Sequence, residues 1–175
     1  MIFINQLGDK MKAFLAIALS SILFLGCQPS SSSNSGNNDV REQDGTIVDV
    51  TDTSRCQVSN GVVSTNIIEN RWEKNLKSKD NFFKFKMWVD IQQDRTTITN
   101  ICYIKDRVLT ASVTSPSNYT NTNLNIFSSV EITNKNPEGD TCTASVKQEN
   151  TTYYFKGNCL VLIANGQEMT FIPAR

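Results

Sequence analysis

Beyond residue 45 the apolar and polar positions of the chain alternate. Phe83, Phe85, Met87, Val89 and Ile91 share one side of an extended segment, and Lys84, Lys86, Trp88 and Asp90 take the other. A period of two predicts a half-buried strand. Comparable runs cover residues 96–104, 108–113, 124–133, 142–148, 153–163 and 169–172. Turn-forming residues punctuate them at Lys105-Asp106, Ser115-Pro116-Ser117-Asn118, residues 136–140 and Asn165-Gly166. Residues 67–77 fit two descriptions: Ile68, Trp72 and Leu76 have helical spacing, yet all three are even-numbered and suit a strand equally well. Seven or eight short antiparallel strands indicate an all-β meander, closed as a small barrel or stacked as a sandwich. Phe83, Phe85, Val146, Phe155 and Val161 are expected to point inward, with bulk enough to fill an eight-stranded lumen.

Register can be argued for two hairpins. Centring a turn on Asn150-Thr151 sets Cys142 against Cys159 and Val146 against Phe155, so sulfurs and apolar residues align together. At the other hairpin, a two-residue Asn165-Gly166 loop sets Ile163 against Glu168. A three-residue loop from Ala164 pairs Val161 with Met169 and Cys159 with Phe171, which is the register the apolar pattern favours.

Ahead of this domain the pattern changes. Lys10 and Lys12 precede an uncharged apolar run over residues 13–25, which ends in Leu25-Gly26-Cys27. The run falls short of the roughly 20 residues a bilayer span needs but suits a signal-peptide core. The segment resembles the bacterial lipobox, with Phe24 standing where Leu is usual. That resemblance implies cleavage after Gly26 and two or three acyl chains on Cys27, enough for stable anchoring. It also implies a cell-envelope address, and Gln28 after the cysteine leans toward the outer membrane. Residues 1–26 are thus expected to be a signal peptide, with Met11 the expected true start. Residues 27–45, rich in Ser and Asn, are expected to form a flexible tether, and 46–175 a single β-domain. About 18 tether residues give a reach of roughly 25 Å.

The chain has five cysteines. With Cys27 lipidated, Cys56, Cys102, Cys142 and Cys159 form an even set in an exported domain, which reads as two disulfides. The hairpin register predicts Cys142–Cys159, leaving Cys56–Cys102 by elimination.

The β-domain is similar in outline to the lipocalin-like (calycin) barrels: an early Trp, then a meander, then a last strand ending in Arg. The resemblance implies that Trp72 packs near the barrel base with Arg175 stacked over it.

The chain contains no histidine, and its 17 acidic residues balance its 17 basic ones. Lack of histidine removes Ser-His and Cys-His nucleophiles and the commonest metal ligand. No phosphate-binding loop, zinc-protease or calcium-loop spacing is present. Neither cofactor nor metal is expected, nor nucleic acid as a partner. Arg71, Lys74, Lys77, Lys79, Lys84 and Lys86 outnumber Glu73 and Asp80 locally. Such an excess suits anionic headgroups or polysaccharide, or simply a solvated strand face. Trp88, beside Lys84 and Lys86 on the polar side of its strand, marks a candidate surface contact. The reading drawn from these features is a non-enzymatic lipoprotein whose β-domain binds a small apolar ligand or a lipid. The alternative is a structural or interaction lipoprotein with a filled core and a protein or polysaccharide partner in the envelope.

Overall fold

The computed structural model describes residues 46–57, 66–68, 70–79, 81–104 and 106–174. The leader, Cys27, the Ser/Asn-rich stretch and Arg175 lie outside them. The described chain is almost wholly β. Eight strands close into an antiparallel barrel: β2 (Arg71–Ser78), β3 (Phe83–Ile91), β4 (Arg95–Ile104), β5 (Arg107–Tyr119), β6 (Asn123–Ile126), β9 (Glu149–Lys156), β10 (Cys159–Ala164) and β11 (Gln167–Pro173). Pairing of β2 with β3 on one edge and β11 on the other closes the circle. Neighbours in the barrel are neighbours in sequence, apart from one excursion between β6 and β9, a hairpin of β7 (Val130–Lys135) and β8 (Thr141–Val146). This architecture is compatible with a lipocalin-like fold and decides for a barrel over a sandwich.

The alternation along β3 does what its period requires. Phe85, Met87, Val89 and Ile91 are buried inside, Phe83 is half-buried at the rim, and Lys84 is exposed. Residues 67–77, ambiguous in sequence, become β2 from Arg71 onward, with Trp72, Lys74 and Leu76 on the inner side opposite Val89, Met87 and Phe85. Trp72 is fully buried, and its indole N–H donates to the Ile67 carbonyl oxygen at 2.7 Å. Its cross-strand neighbour on the other edge is Pro173.

Several expected boundaries move. The Ser115–Asn118 signal lies inside β5, because Pro116 stands where one ladder ends and the next begins. Pairing with β4 runs to Arg95↔Pro116, and pairing with β6 starts at Ser117↔Ile126, so the missing N–H interrupts neither ladder. The run 124–133 divides into β6 and β7. The run 153–163 divides at Gly157-Asn158, with Gly157 at φ 59°, a backbone state suited to glycine. The last hairpin uses the two-residue loop: Ala164↔Gln167 and Ile163↔Glu168 pair, and Asn165 (φ 49°) and Gly166 (φ 75°) both take the left-handed conformation that a type I′ turn demands. That turn's match to strand twist outweighs the apolar alignment that favoured the longer loop.

The division at Gly157 overturns the expected disulfides. β9 pairs with β6 and β10, and β8 pairs only with β7, so Cys142 never faces Cys159. The bridges are Cys56–Cys159 and Cys102–Cys142. Cys159 and Val161 sit on the outside of β10, Val161 pairing with exposed Tyr154 and Thr170. Val161 is therefore not one of the lumen residues, although it is buried. A 3-10 turn, Thr53–Cys56, lies against β10 and β11, and Asn158 N–H bonds to the Cys56 carbonyl oxygen at 3.0 Å. Ahead of it, β1 (Ile47–Asp49) pairs with the far end of β2, on the edge β11 has left.

Chain-entropy arguments give each bridge roughly 4 kcal/mol, with the Cys56–Cys159 loop of 103 residues at the higher end and the 40-residue Cys102–Cys142 loop slightly lower. Peptide mapping without reduction should recover these two linkages and no Cys142–Cys159 peptide. Urea unfolding of Cys102→Ala/Cys142→Ala should show a loss of about 4 kcal/mol.

Candidate functional site

Two places on the barrel have the ingredients of a site: the lumen and the outer face around Trp88.

The lumen is filled from two directions. Inward side chains of the barrel strands supply Phe85, Met87, Leu160 and Phe171. The β7–β8 hairpin then lies over β4 and β5, and Cys142, Ala144 and Val146 join the same core. Asn100, buried on the inner side of β4, donates from Nδ2 to the Thr143 carbonyl oxygen at 2.7 Å. Across from it stands Ala111, whose small side chain leaves room for β8 to approach. The Cys102–Cys142 bridge locks the arrangement two residues further along. Arg107 holds the hairpin's tip through Glu138 at 3.3 Å and Asp140 at 3.2 Å.

Among the described residues, a cavity of about 20 Å³ is walled by Val89, Ile98, Leu124, Ile126 and Leu162. A cavity of that size holds one water. One acidic group lines it. Glu149 is half-buried at the start of β9, opposite Ile126 on the inner side of the ladder. Burial raises its pKa to about 7, against weaker lowering by a hydrogen bond from Thr151 and the charge of Lys147. Residues 149–152 have the composition of a turn, and Glu-Asn-Thr-Thr carries no local sign of an inward strand.

On the outside of β2 and β3 the polar residues form one network. Glu73, only 8% exposed, accepts hydrogen bonds from the Trp88 indole at 3.0 Å and Asn75 Nδ2 at 2.9 Å, with Lys86 Nζ at 3.4 Å. Burial alone would raise the Glu73 carboxyl, but these bonds outweigh it and hold it below the ordinary value. The Arg71 guanidinium lies 4.8 Å from the Trp88 ring centre and bonds to Asp90 at 2.9 Å; Lys86 Nζ lies 5.9 Å from the same ring. Trp88 is thus clamped between two cations. Of the residues singled out in sequence, Trp88 and Lys86 come together, whereas Lys84 lies further along β3, facing Lys77 and Tyr103. Glu73 is the organising group the composition did not reveal. Its alternation with Arg71 and Asn75 on one strand face is the signal that could have found it. Trp72 sits on β2, and Arg175, its expected partner, lies outside the described residues.

Among the described residues no group of three or more Cys, Asp or Glu is placed to hold a metal. Comparison with known proteins matches the chain to no family model, no curated protein and no solved structure.

Glu149 makes a pH dependence testable. A carboxyl whose folded value lies above its unfolded value binds its proton more tightly in the folded state. Its contribution is therefore complete below about pH 4.5 and is lost as pH rises through about 7. Solvent screening of a half-exposed group limits the loss to about 1–2 kcal/mol. Glu149→Gln should remove this fall from the urea-unfolding profile between pH 4.5 and 7, leaving the variant the more stable protein at pH 8.

Proposed function

We propose that this chain is an exported lipoprotein, anchored through lipid on Cys27, whose barrel is a non-enzymatic interaction or structural module of the cell envelope. The filled lumen carries the choice between a binder of apolar molecules and a protein that works through its surface. Lipid- and drug-sized pockets measure roughly 300–1,000 Å³, and the cavity beside Glu149 measures about 20 Å³. Its core is closed by a covalently fixed hairpin rather than by a loop that could swing aside. Chemistry then belongs to the outer surface, where the polar network around Trp88 is preorganised and half-exposed.

The anchor rests on the residues before Cys27 and on cysteine parity: Cys56, Cys102, Cys142 and Cys159 are all bridged, so Cys27 alone is left for a lipid. Gln28, in the lipobox resemblance, leans toward the outer membrane as the location.

Binding of a small apolar ligand is the second reading, supported by the apolar wall of the cavity. It requires the β7–β8 hairpin to withdraw. Native mass spectrometry of protein purified from its own envelope separates the two. The surface module should arrive ligand-free and should bind a hydrophobic dye only after the Cys102–Cys142 bridge is reduced. A stoichiometric non-covalent lipid on the oxidised protein, additional to the acyl chains of Cys27 and lost on denaturation, would overturn that reading in favour of the binder. For the anchor, metabolic labelling with palmitate should mark the wild-type chain, and Cys27→Ser should abolish both label and membrane fractionation.

A further inference from the structure

The two ends of the barrel differ. At one end lie the β2–β3 turn, the β4–β5 turn and the β10–β11 turn, and it is here that the chain comes into the fold. Lys79 N–H bonds to the Thr46 carbonyl oxygen at 2.9 Å, and β1 pairs with the last three residues of β2. On the outer surface of this end, register places Val48, Lys77, Lys84, Tyr103 and Val108 in one row across β1 to β5. Val108 is 60% exposed, and Ile47 and Val50 of the leading segment are also exposed. Phe82 and Phe83 adjoin the row, half-buried against the core.

Among the described residues the lysines of this row have no acidic partner in register, and Lys77 Nζ donates to the neutral Asn81 Oδ1 at 2.9 Å. Lys77 and Lys84 stand directly opposite each other, where like charges destabilise a sheet. The acidic groups of the same face, Glu73 and Asp90, lie further along the strands and are engaged by Trp88, Lys86 and Arg71. At this end Arg107 engages Glu138 and Asp140, and Asp106 occupies the β4–β5 turn. Lysines interleaved with an aromatic ring and exposed aliphatic side chains are the chemistry of a membrane interface: the rings and chains sit at headgroup depth while the ammonium groups meet lipid phosphates.

We propose that this row, Val48, Lys77, Lys84, Tyr103 and Val108, docks the barrel end-on against anionic lipid headgroups of the membrane that carries the chain. The proposal rests on the anchor at Cys27 to say which surface is near. Residues 28–45 separate that anchor from Thr46, and the roughly 25 Å reach expected of such a stretch brings this end of the barrel to the headgroups before the other.

The test uses the chain from residue 27 onward with Cys27→Ser, which keeps every described residue and carries no lipid. It should float with vesicles of phosphatidylglycerol and phosphatidylcholine at 0.1 M salt, and not with pure phosphatidylcholine. Lys77→Gln/Lys84→Gln should weaken binding about 25-fold, at roughly fivefold per lysine, without loss of thermal stability, because a repulsive pair is removed. Val108→Ser should weaken it further, and Lys156→Gln, on the exposed outer side of the opposite end, should have no effect. Equal binding to both vesicle types, or anionic binding insensitive to the double substitution, overturns the proposal. So does retention on an anionic polysaccharide without vesicle binding, which assigns the row to that polymer. Because this chain has no lipid, its behaviour tests the docking row alone, while palmitate labelling of Cys27 tests the anchor.

Discussion

The Cys102–Cys142 bridge is the constraint on which the interior depends. An eight-stranded barrel has a lumen that side chains alone can just fill, yet this one takes in a ninth strand, β8. Admission of β8 requires small or polar neighbours where the hairpin crosses β4 and β5, and Asn100 and Ala111 supply them. The buried amide of Asn100 is half satisfied: Nδ2 donates to the Thr143 carbonyl oxygen, while Oδ1 is buried without a partner among the described residues. The bridge then favours that seating by removing loop-closure entropy from the unfolded chain, worth about 4 kcal/mol. The barrel is therefore a closed body, its core sealed by the β7–β8 hairpin.

β2 shows how one strand serves both sides. Its even residues face inward, and among them is Lys74, 5% exposed beside Phe171. A buried ammonium is costly without a partner, and Asp49 of β1 provides one at the point where β1 and β11 part along the edge of β2. Burial would raise the Asp49 carboxyl, but hydrogen bonds from Lys74 and Thr51 outweigh it and keep it below its usual value. The odd residues Arg71, Glu73 and Asn75 build the network around Trp88. Interior closure and surface chemistry are thus separated by a single step along the backbone.

Fold class, strand faces and most turns were legible because a pleated strand has a strict period and the core enforces it. β3 was correct residue by residue. Disulfide pairing was not legible. A local hairpin that aligned Cys142 with Cys159 satisfied every short-range criterion, and it failed because β9 finds its partners in β6 and β10. Gly157-Asn158 did carry the turn signal that would have divided the run. Pro116, conversely, looked like a turn and is not, since its harmless position depends on where two ladders change over. Of the candidate surface residues, Trp88 and Lys86 were visible as polar-face neighbours. Glu73, which ties them together, and Glu149, which lines the cavity, owe their character to burial that only the closed barrel creates.

The Cys56–Cys159 bridge has a mechanical meaning. A chain held by its N-terminal end is loaded from that end whenever its partner or its membrane moves. Tension reaching Thr46 would first peel β1 from β2, three residue pairs and the Asp49–Lys74 contact. At Cys56 it meets a covalent bond that passes the load into β10, a strand paired along both edges. In a chain anchored at Cys27 as proposed, residues 46–55 would yield before the barrel strands, and the cost to the barrel would be a Lys74 left without Asp49.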